Sequence, residues 1–290
     1  MSIEQTPPNL DNIPDNDVVE DRISDDIDRI HALCEILEPS FEQIEAGVPI
    51  EDASLRDKFT ELTVLLAELH PADVAAVLES LPPRERNIVW LLVAPEDDGE
   101  VLLEVSDAVR EMLIESMDKD ELLAAIDDLD ADELAELADD LPHQVVYEAL
   151  QTRDEEEREQ VKAAMSYEDN QVGAIMDFEL VSIRADVTCE VVLRYLRRFD
   201  SLPDHTDKIF VVDENDVLQG VLPIRKLLVA DPEDMVADVM ATEVVRFRPE
   251  DDVEEAAQAF ERYDLVTAPV VDENKKLIGR ITIDEMVDVI

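Results

Sequence analysis

Carboxylates dominate the chemistry available to this chain. Its 290 residues carry 75 Asp and Glu against 24 Lys and Arg, a formal net charge of −51. Oxygen donors in that abundance suit hard cations. The field they create attracts cations and repels nucleic acid and anionic lipid headgroups, so no nucleic-acid partner is expected. It also opposes compaction, which makes the fold sensitive to salt and divalent ions. A halophilic or merely solubilising surface would have the same composition, and composition leaves both readings open. Other reactive types are sparse. Cys34 and Cys189 form no CxxC pair and read as buried, inert thiols of a reducing compartment. His31, His70, His143 and His205 lack zinc-ligand spacing. Without a GxSxG, P-loop or HExxH string, the chain is not expected to be an enzyme. Met165, Met176 and Met240 read as core or hinge packing, and Trp90 as core.

The elements that position these groups change character along the chain. Met1 to Asn16 is polar, carries Pro7-Pro8 and has no apolar signal-peptide core. From Asp17 to Leu37, Val18, Ile23, Ile27, Ile30 and Leu33 recur at helical spacing, so residues 1–53 read as a leader, partly disordered, containing one helix. No apolar run approaches the roughly 18 to 20 residues of a membrane span. The chain as given is therefore expected to be cytosolic and soluble.

Residues 54–170 read as one all-helical domain. A twelve-residue unit begins at His70, Asp118 and Asp130 and ends each time on Leu: Leu81, Leu129 and Leu141. Asp118 with Glu121, and Asp130 with Glu133, have capping-box spacing with Asp in place of Ser or Thr. Pro82-Pro83 and Pro142 punctuate helix ends. Short helices with short connections predict a superhelical repeat array.

Beyond residue 170 the period shifts. Strands are predicted at Val181–Ile183, Lys208–Val212 and Val217–Leu222, with helices at Cys189–Arg198 and Ile224–Val229. The order returns with strands at Val244–Phe247, Ala268–Val271 and Leu277–Ile281 and helices at Val253–Tyr263 and Ile283–Ile290. An identical Val-Val-Asp-Glu-Asn at 211–215 and 270–274 marks an internal duplication. The fold class is thus multidomain, α plus α/β: a helical repeat domain, then a tandem βαββα pair over 171–234 and 235–290.

Tyr263-Asp-Leu-Val-Thr-Ala-Pro-Val-Val-Asp272 and Gly279-Arg-Ile-Thr-Ile-Asp-Glu285 resemble the strand and glycine-turn motifs of CBS domains. A helical repeat domain, then Gly173-Ala-Ile-Met176, then a CBS pair, resembles the cytoplasmic half of MgtE-type magnesium transporters and channels over roughly residues 60–290. That family continues into a linking helix and a transmembrane pore. The resemblance therefore implies a truncated cytosolic portion, or a chain without its pore, on the cytoplasmic side of the inner membrane.

The resemblance further implies Mg2+ as the bound ion, a homodimer through the CBS pair, and a helical domain that closes onto that pair when magnesium is high. Carried onto matching positions, the implied ligands are Asp264, Glu285 and Asp288, with Glu254 weaker, on the CBS side. Asp132, Glu136 and Glu100 are implied on the helical side. Several are Glu where the family shows Asp, a longer arm. Mg2+ keeps several waters and binds through one or two carboxylates, so weak sites on two bodies suit it. Driving a domain from mostly open to mostly closed takes about 5.5 kcal/mol, which implies several ions. Against this, Asp130, Asp132 and Glu133 sit at a helix start, where acids complement the dipole whether or not a metal binds.

Two alternatives stay open. CBS pairs of the nucleotide-sensing kind place a hydroxyl residue and an acid after the glycine turn. Here the second repeat offers Thr282 and Glu285, while the first has Pro223 and Lys226, so an adenine nucleotide would be a weak accessory ligand. The helical part is also similar to the flagellar motor-switch family, which would suit an acidic interaction scaffold.

Overall fold

The computed structural model describes residues 16–168, 170–199 and 201–289, with side chains described from Ser24 onward apart from Glu45, Asp288 and Val289. The disordered leader expected before residue 16 lies outside the described residues. Packing divides the chain into two compact units, one ending at Asp128 and one beginning at Leu129. The last helices of segment 54–170 therefore share a unit with the α/β repeats.

The first unit is all helix: α1 (Asn16–Leu37), α2 (Phe41–Glu45), α3 (Ala53–Leu66), α4 (Pro71–Ser80), α5 (Pro83–Trp90), α6 (Asp98–Glu104), α7 (Asp107–Ser116) and α8 (Lys119–Ala125). In α1, Ile30, Leu33, Cys34 and Leu37 are buried, an i, i+3, i+4, i+7 stripe that packs on α3 and α4. That contact supplies the purpose that the sequence of this helix does not reveal. Boundaries follow local chemistry. Pro71 and Pro83 occupy first-turn positions, where a missing N–H costs nothing. At α8, Asp118 accepts from the Glu121 N–H (3.0 Å) and donates its own N–H to the Glu121 carboxylate (2.7 Å). Arginines from following helices cap the preceding ends. Arg86 Nε donates to Leu78 O and Arg110 Nε to Leu102 O, both at 2.7 Å. Trp90 is core, as its apolar neighbours predict.

The second unit opens with α9 (Ala131–Leu137), α10 (His143–Thr152) and α11 (Glu155–Ala164). A short 3-10 turn at Val172–Ile175 contacts α9 and α11 and leads into the repeats. The first repeat has β1 (Ser182–Arg184), α12 (Cys189–Leu196), β2 (Lys208–Val212), β3 (Leu218–Pro223) and α13 (Ile224–Leu227), then α14 (Val236–Val239). The second has α15 (Val253–Tyr263), β4 (Thr267–Val271), β5 (Leu277–Thr282) and α16 (Ile283–Val289). Sheet order is β1-β2-β3, parallel then antiparallel, and β4-β5 antiparallel.

Three expectations need correction. The strand predicted at Val244–Phe247 is only a bridge from Phe247 to Val270. In the first repeat the Phe210 N–H donates to Val181 O (3.0 Å), whereas the equivalent position of β4 is Pro269, which has no N–H to extend the ladder. The short helix α14 was not predicted. Met165 is 44% exposed rather than packed, while Met176 is 1% exposed as expected.

Each repeat has its own apolar core, and the second recruits Val172 and Met176 from the segment ahead of β1. Gly279 permits this crossing, since a Cβ there would lie 2.5 Å from Met176 Cγ and 2.9 Å from Asp177 O. Phe210, Leu218, Val221 and Val271 join the two sheets. At their turns the repeats exchange backbone hydrogen bonds: Leu218 N to Lys275 O (3.0 Å) and Leu277 N to Asp216 O (2.9 Å). Asp216 and Lys275 hold matching left-handed conformations, φ 63° and 65°.

Candidate functional site

A cavity of about 650 Å³ lies within the second unit. Its walls come from the start of α9 (Leu129 to Glu133), Arg153 and Glu157 at the α10–α11 corner, and the segment Asp177 to Leu180. The loop after α12, including Pro203 to His205, and the β5–α16 junction, with Arg280, Thr282, Asp284 and Glu285, complete it.

Local folding places each group. The Asp130 N–H donates to Glu133 (2.8 Å), fixing the first turn of α9 so that Asp132 faces the cavity. Asp177 bridges to Arg280 through reciprocal backbone bonds, Asp177 N to Arg280 O (2.9 Å) and Arg280 N to Asp177 O (2.8 Å). The Arg280 guanidinium is buried and meets the same residue again, Nε and Nη2 reaching Asp177 Oδ2 at 2.7 and 2.6 Å. Its Nη1 donates to Asp204 O (2.7 Å). His205, at φ 54°, brings Nε2 within 3.5 Å of Asp284 Oδ2.

The electrostatics are those of crowded, half-desolvated carboxylates. Burial, then the charges of Asp177, Glu133 and Glu285, pushes the Asp132 carboxyl up to about 8. Its Oδ1 is buried and has no hydrogen-bond partner among the described residues. Burial also raises Asp130, Asp177 and Glu179, and at Asp177 it outweighs the Arg280 charge. A cation or a proton would relieve this repulsion.

Of the residues singled out in the sequence, the structure brings Asp132, Glu285 and Thr282 to this cavity. Glu136 is exposed on α9. Asp264 caps α15 in a left-handed conformation (φ 50°, ψ 50°), exposed and away from the cavity lining. Glu254 is exposed in the first turn of α15, and Lys226 lies on α13 with Nζ 3.5 Å from Val239 O. Asp288 is on α16, its side chain outside the described residues. Glu100 belongs to the other unit, in the first turn of α6. There Asp98 is pushed up to about 7 by burial and then by Glu121, Asp97 and Glu96. Sequence reasoning missed Asp177, Glu179, Asp204, Asp284 and Arg280. Arg280 had a signal, a lone cation inside an otherwise apolar strand.

Among the described residues, no three His, Cys, Asp or Glu side chains are gathered closely enough to hold a bare metal ion. The donor chemistry nevertheless fits a hydrated hard cation: the lining is rich in carboxylates, partly buried, with one orphaned carboxylate oxygen among the described residues. No helix among those described is long and apolar enough to cross a membrane.

Helical repeats leading into two sheet-and-helix repeats that share a cavity define the class: an MgtE-type N domain joined to a CBS pair. The family model for the MgtE intracellular N domain matches residues 69–170, and that for the CBS domain matches 172–233 and 236–290. The magnesium transporter MgtE of Thermus thermophilus is 32% identical over 250 residues, covering 84% of this chain and 55% of the relative. That of Bacillus subtilis is 28% identical, covering 81% and 52%. The chain thus spans about half the length of the curated relatives it matches. A crystal structure of the cytosolic domain of the Mg2+ channel MgtE in complex with ATP is 33% identical and covers 82% of this chain and 99% of its own, at a TM-score of 0.72. The soluble part of a magnesium transporter shares the fold at 24% identity and a TM-score of 0.68. The chain belongs to the MgtE family.

Proposed function

We propose that this chain is the Mg2+-sensing regulatory module of a magnesium transporter or channel, acting from the cytoplasmic side of the inner membrane and not as an enzyme. The carrying observation is the cavity whose lining Asp132 of α9 shares with Asp177 and Glu285, with a buried Asp132 carboxylate oxygen that has no partner among the described residues. Asp132 and Glu285 are the residues that would hold the ion here, and Glu136, Glu100, Glu254, Asp264 and Asp288 remain proposed contributors. Bound Mg2+ would supply a divalent charge with a water-rich octahedral shell. The chain's own carboxylates do the rest: their repulsion favours separation of acidic faces when uncompensated, and their neutralisation favours a compact, closed state. That state would gate a pore carried by the rest of the transporter, with the CBS pair forming a homodimer.

Small-angle scattering tests this. The chain is expected to compact as MgCl2 rises through the millimolar range and not with KCl at matched ionic strength, and Asp132→Ala should blunt the effect. Equal compaction in both salts would leave only general screening of a highly charged surface.

A second reading has specific support. Thr282 and Glu285 line the same cavity, and a 33%-identical relative was crystallised with ATP. An adenine nucleotide would be an accessory ligand there, entering beside Thr282, whereas Lys226 is not part of the lining. Calorimetric titration of ATP into the chain and into Thr282→Val distinguishes this from a pure cation site.

A further inference from the structure

We propose that Arg280 is a built-in cation that takes the electrostatic place of one divalent ion in the acid-lined cavity and so sets how much Mg2+ the site requires. This rests on the cation-sensing reading and adds a specificity-determining residue to it.

The case begins with an anomaly. β5 reads Leu-Ile-Gly-Arg-Ile-Thr, and Arg280 is only 4% exposed within it. Burying a guanidinium in a sheet costs desolvation that an apolar residue would not incur, so its surroundings must compensate. They do so through two segments distant in sequence. Asp177, ahead of β1, receives two donors on one carboxylate oxygen at 2.6 and 2.7 Å. Asp204, in the loop after α12, offers its backbone carbonyl at 2.7 Å. Arg280 itself sits on β5 of the second repeat. The other ionisable groups of the described lining are mostly acids, Asp132 and Glu285 among them, beside Arg153 and His205. A divalent ion bridging a carboxylate and a loop carbonyl would do the same work, drawing separate chain segments onto one positive centre. Arginine does it permanently, and its fork matches two acceptors at once where lysine offers a point charge.

Two consequences follow. The cavity of the wild-type chain is partly neutralised at every Mg2+ concentration, so the response is left to the carboxylates that Arg280 does not reach, Asp132 first. Without the guanidinium, Asp177 becomes a half-buried carboxylate that has lost its Arg280 counter-ion beside Asp132, and the fold then needs an added divalent ion to keep the cavity closed.

The test is thermal melting of the full chain in chelator, in millimolar MgCl2 and in KCl at matched ionic strength. In chelator, Arg280→Met is expected to melt on the order of 10 °C below wild type. MgCl2 should close most of that gap and KCl should not. Asp177→Asn combined with Arg280→Met should lose the magnesium requirement. Arg280→Lys, which keeps the charge but not the fork, should show a smaller gap that MgCl2 alone closes, and it carries the test if Arg280→Met does not fold. A gap that is the same at every magnesium concentration overturns the proposal, as does a double variant as magnesium-dependent as the single. A wild type without a magnesium-specific shift, beside an Arg280→Met that has one, supports the role of Arg280 while removing the sensing function from the native chain.

Discussion

Asp132→Asn isolates the cost of crowding carboxylates in the cavity. The Asp132 carboxyl is held at about 8 against an ordinary 3.8, with burial the main cause and the Asp177 charge next. Between those values the native state keeps a proton that the unfolded chain releases. Stability therefore falls as pH rises through this window and levels off above it. At about 1.4 kcal/mol per pH unit the displacement bounds the cost at about 6 kcal/mol. Partial exposure and water entry reduce this, and about 2 kcal/mol is the working expectation. Asn has the same shape and no charge to desolvate. In chelator, Asp132→Asn should be close to wild type near about pH 4.5 and more stable by about 2 kcal/mol near about pH 8. That corresponds to a rise in Tm of about 5 °C for a chain of this size. The rest of the acidic surface titrates equally in both proteins, so the difference between the two melting curves is the measured quantity. A difference that stays constant across the pH range would refute the reasoning. Saturating MgCl2 should shrink the advantage of the variant, because the ionised wild-type carboxylate then has a partner.

Two further outcomes bear on the fold. Burial, and after it Glu85, pushes the Cys34 thiol up to about 12, and Cys189 is also buried and raised. Neither should react with a disulfide-exchange reagent at neutral pH until denaturant is added, and rapid labelling of the native chain would contradict their placement. Gly279→Ala forces a methyl against Met176 and the Asp177 carbonyl. It should cost about 1–3 kcal/mol by denaturant unfolding, and a change under about 0.5 kcal/mol would mean the crossing segment is not held there.

Much of the fold was written in local chemistry. The boxes Asp118–Glu121 and Asp130–Glu133 announced α8 and α9 because both arms of a cap are short-range. The duplicated Val-Val-Asp-Glu-Asn fixed the repeat length because each copy ends a strand at a turn. What failed was non-local. Val244–Phe247 has strand-like residues, but its pairing depends on Pro269, which lies in another strand. The recruitment of Met176 into the second repeat depends on a gap left by Gly279. The site divides in the same way. Asp132, Glu285 and Thr282 were reached through motif positions. Asp177, Asp204 and Asp284 are three acids among 75, and nothing local marks them. Contact with Arg280 tells Asp177 and Asp204 apart, and the approach of His205 marks Asp284.

The paired turns carry a different implication. Leu218 giving to Lys275, and Leu277 to Asp216, is a reciprocal exchange between equivalent positions. Such mutual contact is the signature of a two-fold homodimer, where one patch binds its own copy. The chain thus contains, within one polypeptide, an interface that a single repeat could satisfy only by meeting a twin. Joining the repeats in one chain makes that association intramolecular, so its strength does not depend on how often two copies collide. Within one chain the two halves need not be identical, provided the turns keep their shape. The two glycine motifs show how far that freedom has gone: Gly220 leads to Pro223 and Lys226, Gly279 to Thr282 and Glu285.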